Sequence, residues 1–321
     1  MSTKLFITLG PSTVNKEFLS NIDKKHVKLL RINLSHTDLS ELSSLVKYIR
    51  KYTNIDICFD TEGAQIRTSK IKGRTRKLSC NETVYINKSN ILNNHLTLLP
   101  KYIYEKLNVN DILSIDFNNA LMKIIGESKN RFKCKVMESG IIGTNKSVSV
   151  KRRVKIPAFT EKDLEAFKIA QKLKIKHIAL SFTSNHNDIN KLRSKFSYDI
   201  NVTSKIESRN GLKNLQGILK EADNILIDRG DLSKEIPLHE IPKTQKKVIS
   251  TAKKFNTPVF VATNLLESMV TCISPTRAEV NDVYNTLIDG ADGLVLAAET
   301  AIGKYPEKCI EMILKISKTI K

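Results

Sequence analysis

An α/β fold, a (β/α)8 TIM-type barrel carrying an inserted small all-β domain, is what the sequence predicts, on three observations. Short apolar runs rich in β-branched residues recur eight times along the chain. Helical patterns separate most of them, and one long stretch breaks the rhythm with alternating, strand-like segments and no long helix. Near-continuous apolar strands alternating with helices are expected where a parallel sheet is covered on its outer face, and eight repeats suit a closed barrel better than an open sheet.

The runs fall at residues 4–9, 27–34, 55–60, 177–182, 200–206, 224–228, 258–263 and 293–298. Residues 161–173 (EKDLEAFKIAQKL) place apolar side chains at helical spacing, 238–255 offers a further crossover helix, and 306–320 a last amphipathic one. Between them ETVYINKS, DILSIDFN, ALMKIIGE and RFKCKVME read as strands of the insertion. The expected organisation is therefore 1–68 for the first part of the barrel, 69–154 for the inserted domain and 155–321 for the second part. Removing the insertion leaves about 235 residues, close to the ~250 typical of the fold.

Composition narrows the function classes. The chain has 321 residues, 40% hydrophobic and 27% charged, which is globular. With no long apolar stretch and an N-terminus (MSTKLFITLGPST) that enters a strand directly, it is expected to be soluble and cytoplasmic, with no membrane partner. Five cysteines form no CxxC pair and read as reduced structural thiols. The net charge of +20 is spread along the whole length with no aromatic-flanked basic block, so it fits attraction of small anionic substrates better than specific nucleic-acid binding. Walker A, GxGxxG, HExxH and GxSxG motifs are absent, and the RGD at Arg229 to Asp231 reads as a strand-end turn.

Polar residues gather at the C-terminal ends of the strands, the face where barrel enzymes hold their active sites. In LLRINLSH, Arg31, Asn33 and Ser35 alternate with Ile32 and Leu34 and so share one face; an unpaired buried polar group costs about 1–3 kcal/mol, so three in a row imply a ligand, an ion or a dense network. In SKIES, Lys205 and Glu207 share a face in the same way, and in IDRGDL, Asp231 follows Gly230. Glu207 and Asp231 together could offer oxygens to Mg²⁺, with Lys205 serving a phosphoryl group beside it. Asp60 and Thr61, Arg67 and Thr263 are further candidates, with His36 beside the RINLS face. Glu299, with Thr276, Arg277 and Glu279, fits barrel-rim structure equally well.

TLGPST, RINLSH, DTEGAQIRT, SKIES, RGDL, ATNLLESM, PTRAEVNDV, DGADGLVL and ETAIGKYP, in this order, resemble the pyruvate kinase family across nearly the whole chain; the insertion matches loosely, through KSVSVKRRVKIPAFTEKD. The resemblance implies transfer of the phosphoryl group of phosphoenolpyruvate to ADP, giving pyruvate and ATP. Lys205, Arg31 and Thr263 would be catalytic, and Gly230 and Asp231 with Thr263 would receive the substrate carboxylate. Glu207 and Asp231 would hold Mg²⁺ or Mn²⁺; Asn33, Ser35, Asp60 and Thr61 would hold K⁺; Arg67, His36 and Lys146 would lie near the nucleoside diphosphate. The insertion would close as a lid, the C-terminal regulatory domain of the family would be missing, and a homo-oligomer is left open.

Departures from the family pattern are Glu62 for a lysine and Gln65 in DTEGAQIRT, which leave potassium dependence open. Asp228 and Ser233 stand in DRGDLS for small residues, Ala297 in VLAAETA lacks a hydroxyl, and the insertion differs at 116–119 and 146–152. These divergences keep two alternatives in view: a metal-dependent pyruvate-enolate lyase or aldolase, and a non-catalytic barrel.

Overall fold

A computed structural model describes residues 3–63, 65–71, 73–88, 96–116, 119–152, 154 and 156–320; Phe117 and Asn118 of the divergent 116–119 segment lie outside them. The chain divides into two compact units, Met1–Gly63 with Ala158–Lys321, and Ala64–Pro157.

The first unit is a closed barrel of parallel strands: β1 (Lys4–Thr8), β2 (Val27–Asn33), β3 (Asp56–Asp60), β4 (His177–Leu180), β5 (Asn201–Ile206), β6 (Asn224–Asp228), β7 (Val259–Ala262) and β8 (Gly293–Leu296). Closure is made where β1 pairs with β8, Lys4 opposite Gly293 and Ile7 opposite Leu296. Gly293 is required there, since a Cβ would stand 2.2 Å from the Lys4 carbonyl oxygen and 2.6 Å from the Phe260 ring. The run 177–182 stops short as a strand because Phe182 turns left-handed (φ 52°), and the run 258–263 because Thr263 does (φ 72°).

Helices cover the outside for legible reasons. Glu161–Lys172 starts at a capping box in which the Thr160 hydroxyl accepts from the Asp163 amide and the Asp163 carboxylate accepts from the Thr160 amide. Leu39–Tyr52 is capped by Asp38 and buries Leu42, Val46 and Ile49 at helical spacing. The predicted helix at 238–255 is a 3-10 turn, Leu238–Glu240, followed by Ile241–Lys254, which begins with proline in its first turn. Arg229 to Asp231 opens the helix Arg229–Glu235 instead of forming only a turn, because the backbone after Asp228 passes directly into helical hydrogen bonding.

The second unit is a closed β-barrel with the order Arg131–Glu138, Thr83–Asn87, Leu96–Leu99, Ile66–Thr68, Ser147–Val150, Ile112–Ile115 and Ala120–Ser128, and a two-stranded ribbon of Gly140–Gly143 with Thr75–Leu78. Residues 66–68, assigned from sequence to the barrel's first part, belong to this unit because their ladder partners are Leu96–Leu99 and Ser147–Val150. Along Arg131–Glu138, buried Phe132, Cys134 and Val136 alternate with exposed neighbours, the period-2 pattern of a strand with one apolar face. Among the described residues no helix is long and apolar enough to cross a membrane.

Candidate active site

The interior of the eight-stranded barrel holds a buried apolar layer that includes Phe6 (β1), Leu29 (β2), Cys58 (β3), Ala179 (β4) and Leu226 (β6). Because side chains alternate along a strand, the residue two positions onward faces inward again. Those residues are Thr8, Arg31, Asp60, Ser181 and Asp228, and β5 contributes Lys205, two after the buried Thr203. One pleat thus converts an apolar layer into a polar and charged one at the C-terminal mouth.

Lys205 is the hub of this layer. Its ammonium lies 2.8 Å from Glu207 Oε1, 3.2 Å from Asp228 Oδ2 and 3.5 Å from Asp60 Oδ1, and donates to Ser181 Oγ at 3.3 Å. Arg31 donates through Nη1 to Asp60 Oδ2 (2.8 Å) and through Nε to Thr8 Oγ1 (2.9 Å). The Phe182 amide, set by its left-handed turn, donates to Glu207 Oε2 at 2.6 Å. Glu207 Oε1, although close to Lys205, lies out of line for a directed hydrogen bond, so that contact is ionic. The exposures of Lys205 (5%), Glu207 (0%), Asp228 (5%), Asp60 (1%) and Arg31 (6%) make this a desolvated network, where unpaired charge is costly.

Protonation follows from that burial. Desolvation alone would lower the Lys205 pKa, but Asp60, Glu207 and Asp228 outweigh it and hold the ammonium well above the ordinary lysine value. Desolvation drives Glu207 well above the usual carboxylate range; Lys205 opposes this, while Asp228 and Asp231 add to it. Burial would raise Asp228 as well, yet Lys205 and Arg31 prevail and keep it below its ordinary value.

The other sequence-derived candidates fall into three groups. Asp231 stands in the first turn of Arg229–Glu235, ion-paired to Lys234 at 2.5 Å, and one oxygen from each of Glu207, Asp228 and Asp231 lies within 4.8 Å of the others. The Gly230 amide donates to Thr263 Oγ1 at 2.8 Å, so any substrate carboxylate received there must share or replace that bond. Thr61 Oγ1 accepts from the Ser181 amide (2.8 Å), and Asn33 Oδ1 from the Ser35 amide (3.0 Å); Asn33 and Asp60 are register partners across β2 and β3. The His36 amide donates to the Asn33 carbonyl. Arg67 and Lys146 belong to the second unit, where Arg67 Nη1 donates to the Asn145 carbonyl (3.1 Å) and Lys146 pairs with Asp116 (3.0 Å).

Glu299 and Glu279 serve the rim. Glu299 accepts from the Leu266 and Ala297 amides, and Glu279 from Ser268 and Thr276. Glu62 contributes its backbone: its amide and that of Gly63 donate to Asp163. Ser233 Oγ returns to the Gly230 carbonyl. Sequence reasoning missed Thr8, Ser181 and above all Asp228, noted only as a departure. The available signal was the alternation in NILID, which puts Asp228 on the face of Leu226.

The family model described as pyruvate kinase, barrel domain, matches residues 1–310. The chain belongs to the pyruvate kinase family. The pyruvate kinases of Thermococcus litoralis and Thermotoga maritima are each 33% identical to it over 332 residues, covering 99% of this chain and 69% and 70% of theirs. A crystal structure of a pyruvate kinase from Cryptosporidium parvum superposes with a TM-score of 0.88 at 29% identity, covering 100% of this chain and 70% of that one. As a member of the pyruvate kinase family, the chain is an enzyme of the phosphotransferase class.

Proposed function

We propose that the chain transfers the phosphoryl group of phosphoenolpyruvate to ADP at the mouth of the eight-stranded barrel. The observation that carries this reading is Lys205, a buried ammonium kept charged by three carboxylates and able to neutralise a phosphoryl group in flight. Phosphoryl transfer is mostly positioning and neutralisation of charge, with little covalent work for the protein. The bond from phosphorus to the enol oxygen breaks as the bond to a β-phosphate oxygen of ADP forms, and the enolate left behind takes a proton at its terminal carbon to become pyruvate.

Arg31, aimed by Asp60 and Thr8, contacts the same phosphoryl group. Gly230, Asp231 and Thr263 hold the substrate carboxylate. Glu207 and Asp231 are suited to Mg²⁺ or Mn²⁺ by their carboxylate chemistry and close approach. When bound, that ion supplies charge neutralisation to phosphate and enolate oxygens. A K⁺ site at Asn33, Ser35, Asp60 and Thr61 is supported by the pairing of Asn33 with Asp60. The nucleotide roles of Arg67, His36 and Lys146, the division into a barrel and a lid that excludes water, and cytoplasmic residence rest on the family resemblance.

The test is pyruvate formation from phosphoenolpyruvate by purified protein with Mg²⁺, with and without ADP and K⁺, beside Lys205→Met. ADP-dependent turnover reduced on the order of 10²–10³-fold or more in the variant is expected. Exchange of pyruvate methyl protons with no ADP-dependent turnover would replace this reading with enolate chemistry.

A further inference from the structure

The reading above uses Asp228 only as one of the counter-charges of Lys205, and the inference drawn from it rests on an ion at Glu207 and Asp231. We propose that Asp228 is a third protein ligand of the divalent ion, so that the site binds its metal before substrate arrives. Register brings the three together: Ile206 pairs with Ile227, which sets Glu207 beside Asp228 at the ends of adjacent strands, and Asp231 follows one helical turn later. One oxygen of each lies within 4.8 Å of the other two. Glu207 supplies an independent pointer. It is fully buried, its Oε2 is taken by the Phe182 amide, and its Oε1, on the side of Lys205, accepts no directed hydrogen bond.

Asp228 serves Lys205 as a counter-ion at 3.2 Å, and it also stands with the two metal carboxylates. Glu207 at 2.8 Å, Asp228 at 3.2 Å and Asp60 at 3.5 Å surround the Lys205 ammonium, and of these Glu207 and Asp228 also offer an oxygen within 4.8 Å of Asp231. A divalent cation between Glu207, Asp228 and Asp231 would take an oxygen from each. Mg²⁺ commonly takes one or two protein carboxylates and completes its shell with water and substrate. A third makes the empty-handed enzyme the better metal binder and leaves fewer positions for substrate oxygens.

The experiment is Mn²⁺ binding to the substrate-free protein, read from the electron paramagnetic resonance signal of the free ion, for the natural chain, Asp228→Ala, Asp228→Asn and Glu207→Gln. Circular dichroism melting accompanies each, and Asp228→Asn preserves side-chain volume should the alanine variant fold poorly. Both Asp228 variants are expected to bind Mn²⁺ more weakly by on the order of 10–100-fold, the range that even outer partners of a metal reach. Unchanged or tighter binding in the Asp228 variants, with binding lost in Glu207→Gln, overturns this inference and leaves the phosphotransferase reading standing. Unchanged binding in Glu207→Gln as well, or none by the substrate-free natural chain, also overturns this inference, while the phosphotransferase reading is decided separately by ADP-dependent pyruvate formation.

Discussion

In the β-barrel of Ala64–Pro157, Phe132, Cys134 and Val136 from one strand and Val84 and Ile86 from its neighbour fill an apolar interior. The eight-stranded barrel is apolar inside at one level, with Phe6, Leu29, Cys58 and Leu226, and two residues further along the same strands it carries Thr8, Arg31, Asp60 and Asp228. A buried ionic cluster is a poor way to stabilise a fold, since well-packed apolar residues of similar volume are often as good or better by about 1–4 kcal/mol. The apolar interior is therefore explained by stability alone, and the charged layer is explained by a ligand it must meet.

The difference can be broken most directly in the apolar interior. Phe132→Ala should cost about 3–5 kcal/mol, read as faster amide exchange in Thr83–Asn87 and Arg131–Glu138 while β1 to β8 keep their protection. Equal acceleration in both units would mean that they unfold as one body. At the rim of the charged layer, Arg229 donates through Nε and Nη2 to the carbonyl of Thr263, whose left-handed backbone is uncommon for a β-branched residue, and grips Asp282 through Nη1 at 2.8 and 2.7 Å. Arg229→Lys removes the planar fork and should lower kcat about tenfold, roughly 1.4 kcal/mol, with Asp282→Asn shifting the same constant less. Unaltered kcat in both would show that Thr263 holds its position unaided.

One residue type samples both interiors. Burial pushes the Cys58 thiol up to about 12, with Asp60 adding and Arg31 and Lys205 opposing, and burial alone pushes Cys134 up to about 12. A raised folded pKa gives a contribution fully present below the ordinary thiol value of 9.0 and lost as pH rises through about 12, so unfolding free energy should fall across that window. At pH 8, Cys80 and Cys272 should react with a thiol reagent while Cys58, Cys134 and Cys309 stay silent until denaturation. The sharpest form is Lys205→Met, which should raise Cys58 further and leave Cys134 untouched; equal shifts in both would mean that the charged layer does not reach Cys58.

Local pattern made much of this legible. Periods of two and 3.6 mark strands and helices without reference to the rest of the chain, and they located the eight runs, the helix over 161–173 and the interruption between them. The same alternation put Lys205 with Glu207, and Arg31 with Asn33, on one face. Boundaries were less legible where a long-range partner decides them: Ile66–Thr68 reads as the end of the barrel's first part until its pairing with Leu96–Leu99 is seen.

By itself, then, the sequence determined which residues alternate, which faces are polar and which strand ends bear chemistry, because each depends on neighbours a few positions away. Only the tertiary structure decided that these ends stand at one height around a closed ring, through the register of β5 on β6 and of β1 on β8. That register turned Asp228 from a departure in a motif into the third carboxylate beside Glu207 and Asp231, and drew Ser181 and Thr8 into the network of Lys205 and Arg31. Height and closure are set by pairing between residues far apart in the chain, and no local pattern carries that information.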